Sequence, residues 1–283
     1  MTIENDFFAD LHVHTNYSDG FFSPEIIVQK AIEIGLGAIA VTDHDGVEGI
    51  QSAVDAARDV PLEVIPGVEI SAFDRDKEIH LLGYFVDYQD SSFTRILEKM
   101  RRNRVERMKK ILGLLSFKGI KIEEHEMFGM GKDRAVGRLH LARVMARDKI
   151  VRNTKEAFDK YIGDKGSCYV RHKRLDYREA IAMIKSSGGV AVLAHPVVTD
   201  VDERIPEYVK NGLRGIEVYH SKQNTSDNQK YLKIADEYGL LITGGSDCHG
   251  NVYGKMLLGT AGVNKRSVDE IRESAKEGKN DQE

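Results

Sequence analysis

The sequence predicts an α/β barrel interrupted by a helical insertion, and three observations carry that expectation. Short apolar runs alternate with helix-length amphipathic segments, the pattern of βα units around a mainly parallel sheet. The 283 residues suit one barrel with an insertion, being long for an average domain. More than 100 residues separate Phe85 from Val190, where one βα unit needs only about 30.

Strands are expected at Phe7–Val13, Ala38–Thr42, Glu63–Val68, His80–Phe85, Val190–Ala194, Gly215–Tyr219 and Leu240–Thr243, with a weaker eighth at Leu257–Val263. Helices fall between them. Ser23 before Pro24 is an N-cap and first-turn pair; Ile27, Ala31 and Ile34 share one face, and Gly35 ends the helix. Asp176 starts a helix that stops at Gly188-Gly189, and Ser226 starts another, with Leu232 and Ala235 inward, that ends at Gly239. Within the long interval a helical pattern runs from about Ser92 to Phe117, with Ile96, Met100, Met108, Ile111 and Leu115 as its apolar positions. Shorter helices follow near Arg138–Lys149 and Thr154–Ile162, so 91–170 reads as an inserted cap between barrel parts 1–90 and 171–283. The basic run KMRRNRVERMKK reads as a solvated helix face with Glu98 and Glu106 interspersed rather than as an RNA-binding patch. The closing KEGKNDQE reads as a frayed tail.

Composition excludes several classes. With 41% hydrophobic and 30% charged residues the chain can bury a large core. Its net charge of −4 offers no global attraction for nucleic acid or an anionic membrane, and no double-stranded DNA partner is expected. Cys168 and Cys248 make no disulfide framework, which points to a reducing compartment. No basic leader opens the chain and no run approaches the roughly 18 apolar residues of a membrane span. A cytoplasmic protein is the expectation.

In a parallel barrel the chemistry gathers at the carboxyl ends of the strands. The first ends in His12-Val13-His14, and alternation sends both imidazoles to one side. Asp19 follows five residues later. The second ends in Thr42-Asp43-His44-Asp45; Glu69 lies just past the third, and the fourth carries His80. His195, His220, Asp247 and His249 close the later ones. Singly, each has a bland explanation: Asp19-Gly20 and Asp45-Gly46 are ordinary turn pairs. Jointly, seven of the ten histidines fall at strand-associated positions, where burial without partners would be costly. A pocket of imidazoles and carboxylates without clustered thiols suits Mn²⁺, Fe or Zn²⁺, and the ligand number exceeds one ion's capacity. Sites with two or three ions sharing carboxylates perform in-line attack at phosphorus.

Taken together, DLHVHTNYSDG, VTDHDGVEG, PGVEIS, IHLLGY, AHP and GSDCHG resemble the polymerase and histidinol phosphatase (PHP) family over residues 7–90 and 188–263. The resemblance implies a distorted (βα)₇ TIM-like barrel with a trinuclear metal site, Mn²⁺ being favoured over Fe or Zn²⁺. Carried over by motif, His12, His14 and Asp247 would hold a first ion and Glu69 would bridge to a second, held by His80 and His195. Asp19, His44 and His249 would hold a third. Within the family, the insertion and VGRLH at 136–140 resemble small phosphatases of nucleoside 3′,5′-bisphosphates, a subgroup also linked to trimming short RNA 5′ ends. That likeness implies that Arg138 binds the non-scissile phosphate, with Arg134 and Lys132 as nearby alternatives, and that His220 approaches the substrate phosphate or adds a metal ligand. Arginine suits the task because its planar fork binds phosphate bidentately.

The implied reaction is hydrolysis of the 3′-phosphate by a hydroxide held between the ions, with His220 stabilising phosphoryl charge. Asp43 is either a general acid or base or the group that orients a ligand histidine. The rival expectations are a histidinol-phosphate-type phosphatase, a 5′-3′ exoribonuclease and a non-catalytic module. The sequence does not fix the oligomeric state.

Overall fold

The computed structural model describes residues 7–128, 136–171, 175–252 and 255–280. Seven strands form one sheet in chain order: β1 Ala9–Val13, β2 Ala38–Val41, β3 Glu63–Asp74, β4 Lys77–Tyr84, β5 Val190–Leu193, β6 Gly215–His220 and β7 Leu241–Gly245. The sheet curls into a nearly closed barrel. β1 meets the far edge through Cys248, whose amide donates to His12 O at 3.2 Å and whose carbonyl accepts from His14 N at 3.0 Å. A side chain at Gly245 would place its Cβ 2.3 Å from His12 N, so only glycine permits this approach.

The sheet is less parallel than expected. β3 pairs antiparallel with β4, and β4 antiparallel with β5. Only Arg75 and Asp76 connect β3 to β4, with Arg75 at φ +55°. A parallel return needs a crossover of a dozen or more residues, and the hairpin is the one solution that length allows. The expected eighth strand is absent: 257–263 is turn and loop, with Gly259 at φ +73°, and Val263 makes a single antiparallel bridge to Ala9. A two-residue hairpin, β8 Asn251–Val252 and β9 Lys255–Met256, stands before it.

Helix ends follow their sequence signals with one change. Ser23 accepts from Ile26 N with Pro24 in the first turn, and Asp176 forms a capping box with Glu179. The helix Thr225–Tyr238 is capped by Asn224 rather than Ser226, because Asn224 accepts from both Ser226 N and Asp227 N and Asp227 returns the bond. Tyr231 and Ala235 face inward there, while Leu232 is only half-buried. A helix spans Lys265–Asn280 and packs Val268, Ile271 and Ala275 onto the core made by Leu11, Ala40, Leu82, Tyr84 and Val192, so the first five residues of the tail expected to fray, 276–280, are helical, and 281–283 lie outside the described residues.

Two compact units divide the chain, Met1–Arg95 with Arg174–Glu283, and Ile96–Lys173. In the second, Met108, Ile111 and Leu115 of the helix Ser91–Phe117 cluster with Leu141, Met145 and Cys168. Ile96, an expected apolar position, is exposed. The helix Thr154–Ala157 continues as a single π turn over Phe158–Ile162. Among the described residues no helix is long and apolar enough to cross a membrane.

Candidate metal centre

The barrel unit gathers ten of the expected residues at the strand ends. Glu69 is the hub. Its Oε2 lies 3.3 Å from His12 Nε2, 3.2 Å from His14 Nε2 and 3.1 Å from His44 Nδ1. Its Oε1 lies 2.7 Å from His80 Nδ1 and 3.0 Å from His195 Nε2. Asp247 Oδ1 sits 3.3 Å from His14 Nε2 and 3.7 Å from His12 Nε2. Asp19 Oδ1 sits 3.2 Å from His249 Nε2, with Oδ2 4.0 Å from His44 Nε2. Among the described residues, four overlapping groupings have ligand geometry: His14, Asp19, His44 and His249; His12, His220 and Asp247; His12, His14 and Glu69; and His44, Glu69 and His80.

These residues fit metal ions. Two ligand atoms each about 2.1 Å from an ion stand roughly 3.0–3.4 Å apart at octahedral to tetrahedral angles, the spacing found around Glu69 Oε2. Among the described residues, the buried atoms His12 Nε2, His14 Nε2, His44 Nδ1, Glu69 Oε2 and His195 Nδ1 complete no hydrogen bond. Leaving so many polar atoms unsatisfied in a native interior is costly unless something else binds them.

The electrostatics of the metal-free chain agree. Burial works against charge throughout, yet Glu217 and Glu69 hold His12 protonated far above the ordinary histidine value. Against the same burial, Asp247, Glu69 and Asp19 push His14 up to about 10, and Glu69 with Glu78 pushes His80 up to about 10. Asp19, Glu69 and Asp247 are held well below the carboxylate range by the histidines around them, despite burial. His44 goes the other way: burial, then its neighbours His14 and His80, press it down to about 4. Burial lowers His195 as well, so the protons that balance the carboxylates sit on His12, His14 and His80, and metal binding would displace them.

Ring nitrogens divide the histidines by task. His12 Nδ1 lies 2.9 Å from Glu217 Oε1 and His249 Nδ1 lies 2.9 Å from the carbonyl of Asp247. Both acceptors place the proton on Nδ1 and leave Nε2 as a lone-pair donor to metal. His220 is reversed. Its Nδ1 accepts from the Lys222 amide at 3.1 Å, and an amide can only donate. The neutral ring therefore carries its proton on Nε2, which lies 3.5 Å from Asp247 Oδ2.

Asp43 is buried with both oxygens engaged: Oδ1 accepts from Thr15 N at 2.8 Å and Ser18 Oγ at 2.5 Å, and Oδ2 from Thr15 Oγ1 at 2.6 Å. These partners tie Asp43 to the loop between His14 and Asp19, a task distinct from both expected roles. Arg138 belongs to the helical unit, where it pairs with Asp164 at 2.8 Å and lies 5.8 Å over the Phe158 ring. Arg134 and Lys132 lie outside the described residues.

Three participants escape a reading by strand ends. Glu217 and Asp10 are fully buried carboxylates inside apolar strands, an anomaly of the same kind as the histidines. Asp10 accepts from His12 N, Ser246 N, Ser246 Oγ and Gly259 N, and burial raises its carboxyl to about 6. Lys222 places its ammonium 3.3 Å from Asp247 Oδ2 at the rim.

The PHP domain family matches residues 10–185. A 5′-3′ exoribonuclease of Haemophilus influenzae is 32% identical over 245 residues, 85% of this chain and 89% of that protein. A 3′,5′-nucleoside bisphosphate phosphatase of Chromobacterium violaceum is 29% identical over 246 residues, 85% and 86%. A phosphoribosyl 1,2-cyclic phosphate 1,2-diphosphodiesterase of Eggerthella lenta is 27% identical over 249 residues, 85% and 94%. A solved structure from Bifidobacterium adolescentis, described as a metal-dependent phosphoesterase, superposes with a TM-score of 0.85 at 30% identity over 93% of this chain and 94% of its own. Family match, fold and a barrel mouth built for cations agree, and the chain belongs to the PHP family of metal-dependent phosphoesterases.

Proposed function

We propose that this phosphoesterase removes the 3′-phosphate of nucleoside 3′,5′-bisphosphates such as adenosine 3′,5′-bisphosphate, leaving the nucleoside 5′-monophosphate. The observation that carries this reading is the pairing of buried and half-buried candidate ligands around Glu69 with a hydrogen-bond donor, His220 Nε2, beside them. When bound, divalent ions at these groupings supply Lewis acidity and activate water for attack at phosphorus.

The chain's own residues do the rest. His12, His14 and Asp247 would hold one ion, Glu69 with His80 and His195 a second, and Asp19, His44 and His249 a third. His220 donates from Nε2 to a phosphoryl oxygen as charge builds in the transition state. Lys222, flexible and exposed, adds positive charge at the same rim. Asp43 fixes the loop that separates His14 from Asp19. Arg138 takes the second, non-scissile phosphate, which exchanges its present partner Asp164 for a dianion. The phosphatase of Chromobacterium violaceum, similar over most of the chain, acts on this substrate class by its description.

The test is turnover by the Mn²⁺-loaded enzyme of adenosine 3′,5′-bisphosphate, AMP, histidinol phosphate and a short 5′-phosphorylated RNA, with metals quantified in the same preparation. The reading expects the bisphosphate to be preferred over AMP by at least tenfold in kcat/KM, with Arg138→Ala erasing most of that preference. Release of single nucleotides from RNA at a higher kcat/KM than the bisphosphate would overturn it in favour of exoribonuclease activity.

A further inference from the structure

Glu217 lies on β6, fully buried, and belongs to none of the four ligand groupings. Both of its oxygens are nonetheless committed. Oε1 meets His12 Nδ1 at 2.9 Å, and Oε2 accepts from the His195 amide at 2.7 Å. One carboxylate thus touches two expected ligands on two other strands, a side chain on β1 and a backbone at the end of β5.

We infer that Glu217 is a positioning residue for the metal centre: it fixes the His12 tautomer whose Nε2 faces the ions, and it pins the backbone that presents His195. For His12 the reason is chemical. Oε2 takes an obligate donor and an ionised carboxylate can only accept, so His12 donates its Nδ1 proton to Oε1 and keeps the Nε2 lone pair free. A carboxylate behind a ligand imidazole also raises its basicity.

For His195 the reason is conformational. The residue sits at φ 27°, ψ 61°, a region that residues bearing a Cβ rarely adopt. A strained backbone persists when its surroundings over-determine it, and the bond from its amide to Glu217 does so. The opposite setting on the same strand sharpens the point. The register of β6 shifts between Glu217 and Tyr219, so that residues 217 and 220 both reach the ring of His12, His220 at a centroid separation of 6.1 Å. Glu217 makes His12 a ligand, and three residues on a backbone amide makes His220 a donor.

The inference rests on the metal reading and is independent of the substrate. Glu217→Gln keeps the shape but offers one acceptor oxygen to two donors. In the whole chain, Mn²⁺ titration followed by electron paramagnetic resonance is expected to show the ions served by His12 and His195 bound 10–100-fold more weakly, with the class held by Asp19, His44 and His249 within twofold of wild type and circular dichroism unchanged. Turnover should recover at excess Mn²⁺. Wild-type Mn²⁺ affinity in the variant would overturn the inference, as would equal weakening of every class. A wild type that binds no Mn²⁺ would instead remove the metal reading itself. Should the variant not fold, ¹⁵N-histidine spectra of the Zn²⁺-loaded wild type decide: His12 protonated at Nδ1 supports the assignment, and His12 protonated at Nε2 overturns it.

Discussion

The barrel mouth and the helical unit bury different things. At the mouth, β1 with the residue just past it, β3 and β6 hold His12, His14, Glu69, Glu217 and His220, all under one-tenth exposed. In the helical unit the buried set is Met108, Ile111, Leu115, Leu141, Ala142 and Met145, and charges such as Lys155–Asp159 pair in solvent. An apolar core stabilises whatever the conditions, whereas a core of imidazoles and carboxylates is stable only when its polar atoms are satisfied. The first region is conditional on a ligand and the second is not.

The largest effect that comparison predicts is at Glu69. Glu69→Ala removes the one carboxylate that faces five histidines, leaving cationic rings with no central anion. Turnover is expected to fall by about 10³-fold or more, since a lost metal contact is worth several kcal/mol in the transition state and each 1.36 kcal/mol is tenfold. Bound metal measured by elemental analysis should fall with it. Full metal content with full activity would break the contrast between the two regions.

Much of the mouth was legible because polar residues in apolar strands have few structural excuses. His12 and His14 in DLHVH, His195 in LAHP and the Asp247–His249 pair stood out for that reason, and the structure brings all of them together. The hairpin between β3 and β4 was not legible, because apolar run and length fit either pairing direction and only the two-residue link Arg75-Asp76 decides it. Glu217 was missed for a different reason. Strict alternation puts residues 217 and 220 on opposite faces, and the register shift that reunites them is invisible in composition. The charged KEGKNDQE was expected to fray, yet its residues 276–280 continue a helix that the preceding Val268, Ile271 and Ala275 anchor through an apolar stripe at helical spacing.

In the helical unit the corresponding test is a cavity. Leu115 is fully buried among Met108, Ile111 and Leu141, and Leu115→Ala should cost about 2–5 kcal/mol of that unit's stability. Metal stoichiometry should stay at the wild-type value. Denaturant unfolding read beside elemental analysis checks both, and metal loss in this variant would join the two regions that the comparison separates.

Removing the ions sharpens the contrast with a smaller effect. In the chelated protein His14 and His80 are raised to about 10, from an ordinary value near 6.5. Each is therefore charged in the folded chain and neutral in the unfolded one at pH 8. Their contribution is complete below about 6.5 and is lost as pH rises through 10. The metal-free protein should lose thermal stability steadily from pH 7 to pH 10, and the Mn²⁺-loaded protein should lose less. Binding of Mn²⁺ at pH 8 should also release protons, seen as a buffer-dependent enthalpy in titration calorimetry. A pH-independent melting temperature without metal would remove the ion-pair account.

The smallest expected effect concerns strain. Asp45, His195 and Asp247 at the mouth have positive φ, of 47°, 27° and 55°. Two of them are proposed ligands and the third accepts from Ser71 N, so their conformations are held by the work of the site. Lys149 in the helical unit also has positive φ, 59°, but it is an exposed residue just past the helix Arg138–Arg147. That is the position where helices favour glycine, because no Cβ crowds the left-handed turn. Lys149→Gly should therefore stabilise the unit by up to about 1 kcal/mol, with the added freedom of the unfolded glycine offsetting part of the gain. The same replacement at Asp247 would relieve comparable strain and abolish a ligand. A stability gain at Lys149 with unchanged kcat, against metal loss in Asp247→Gly, would show that strain is incidental in one region and functional in the other.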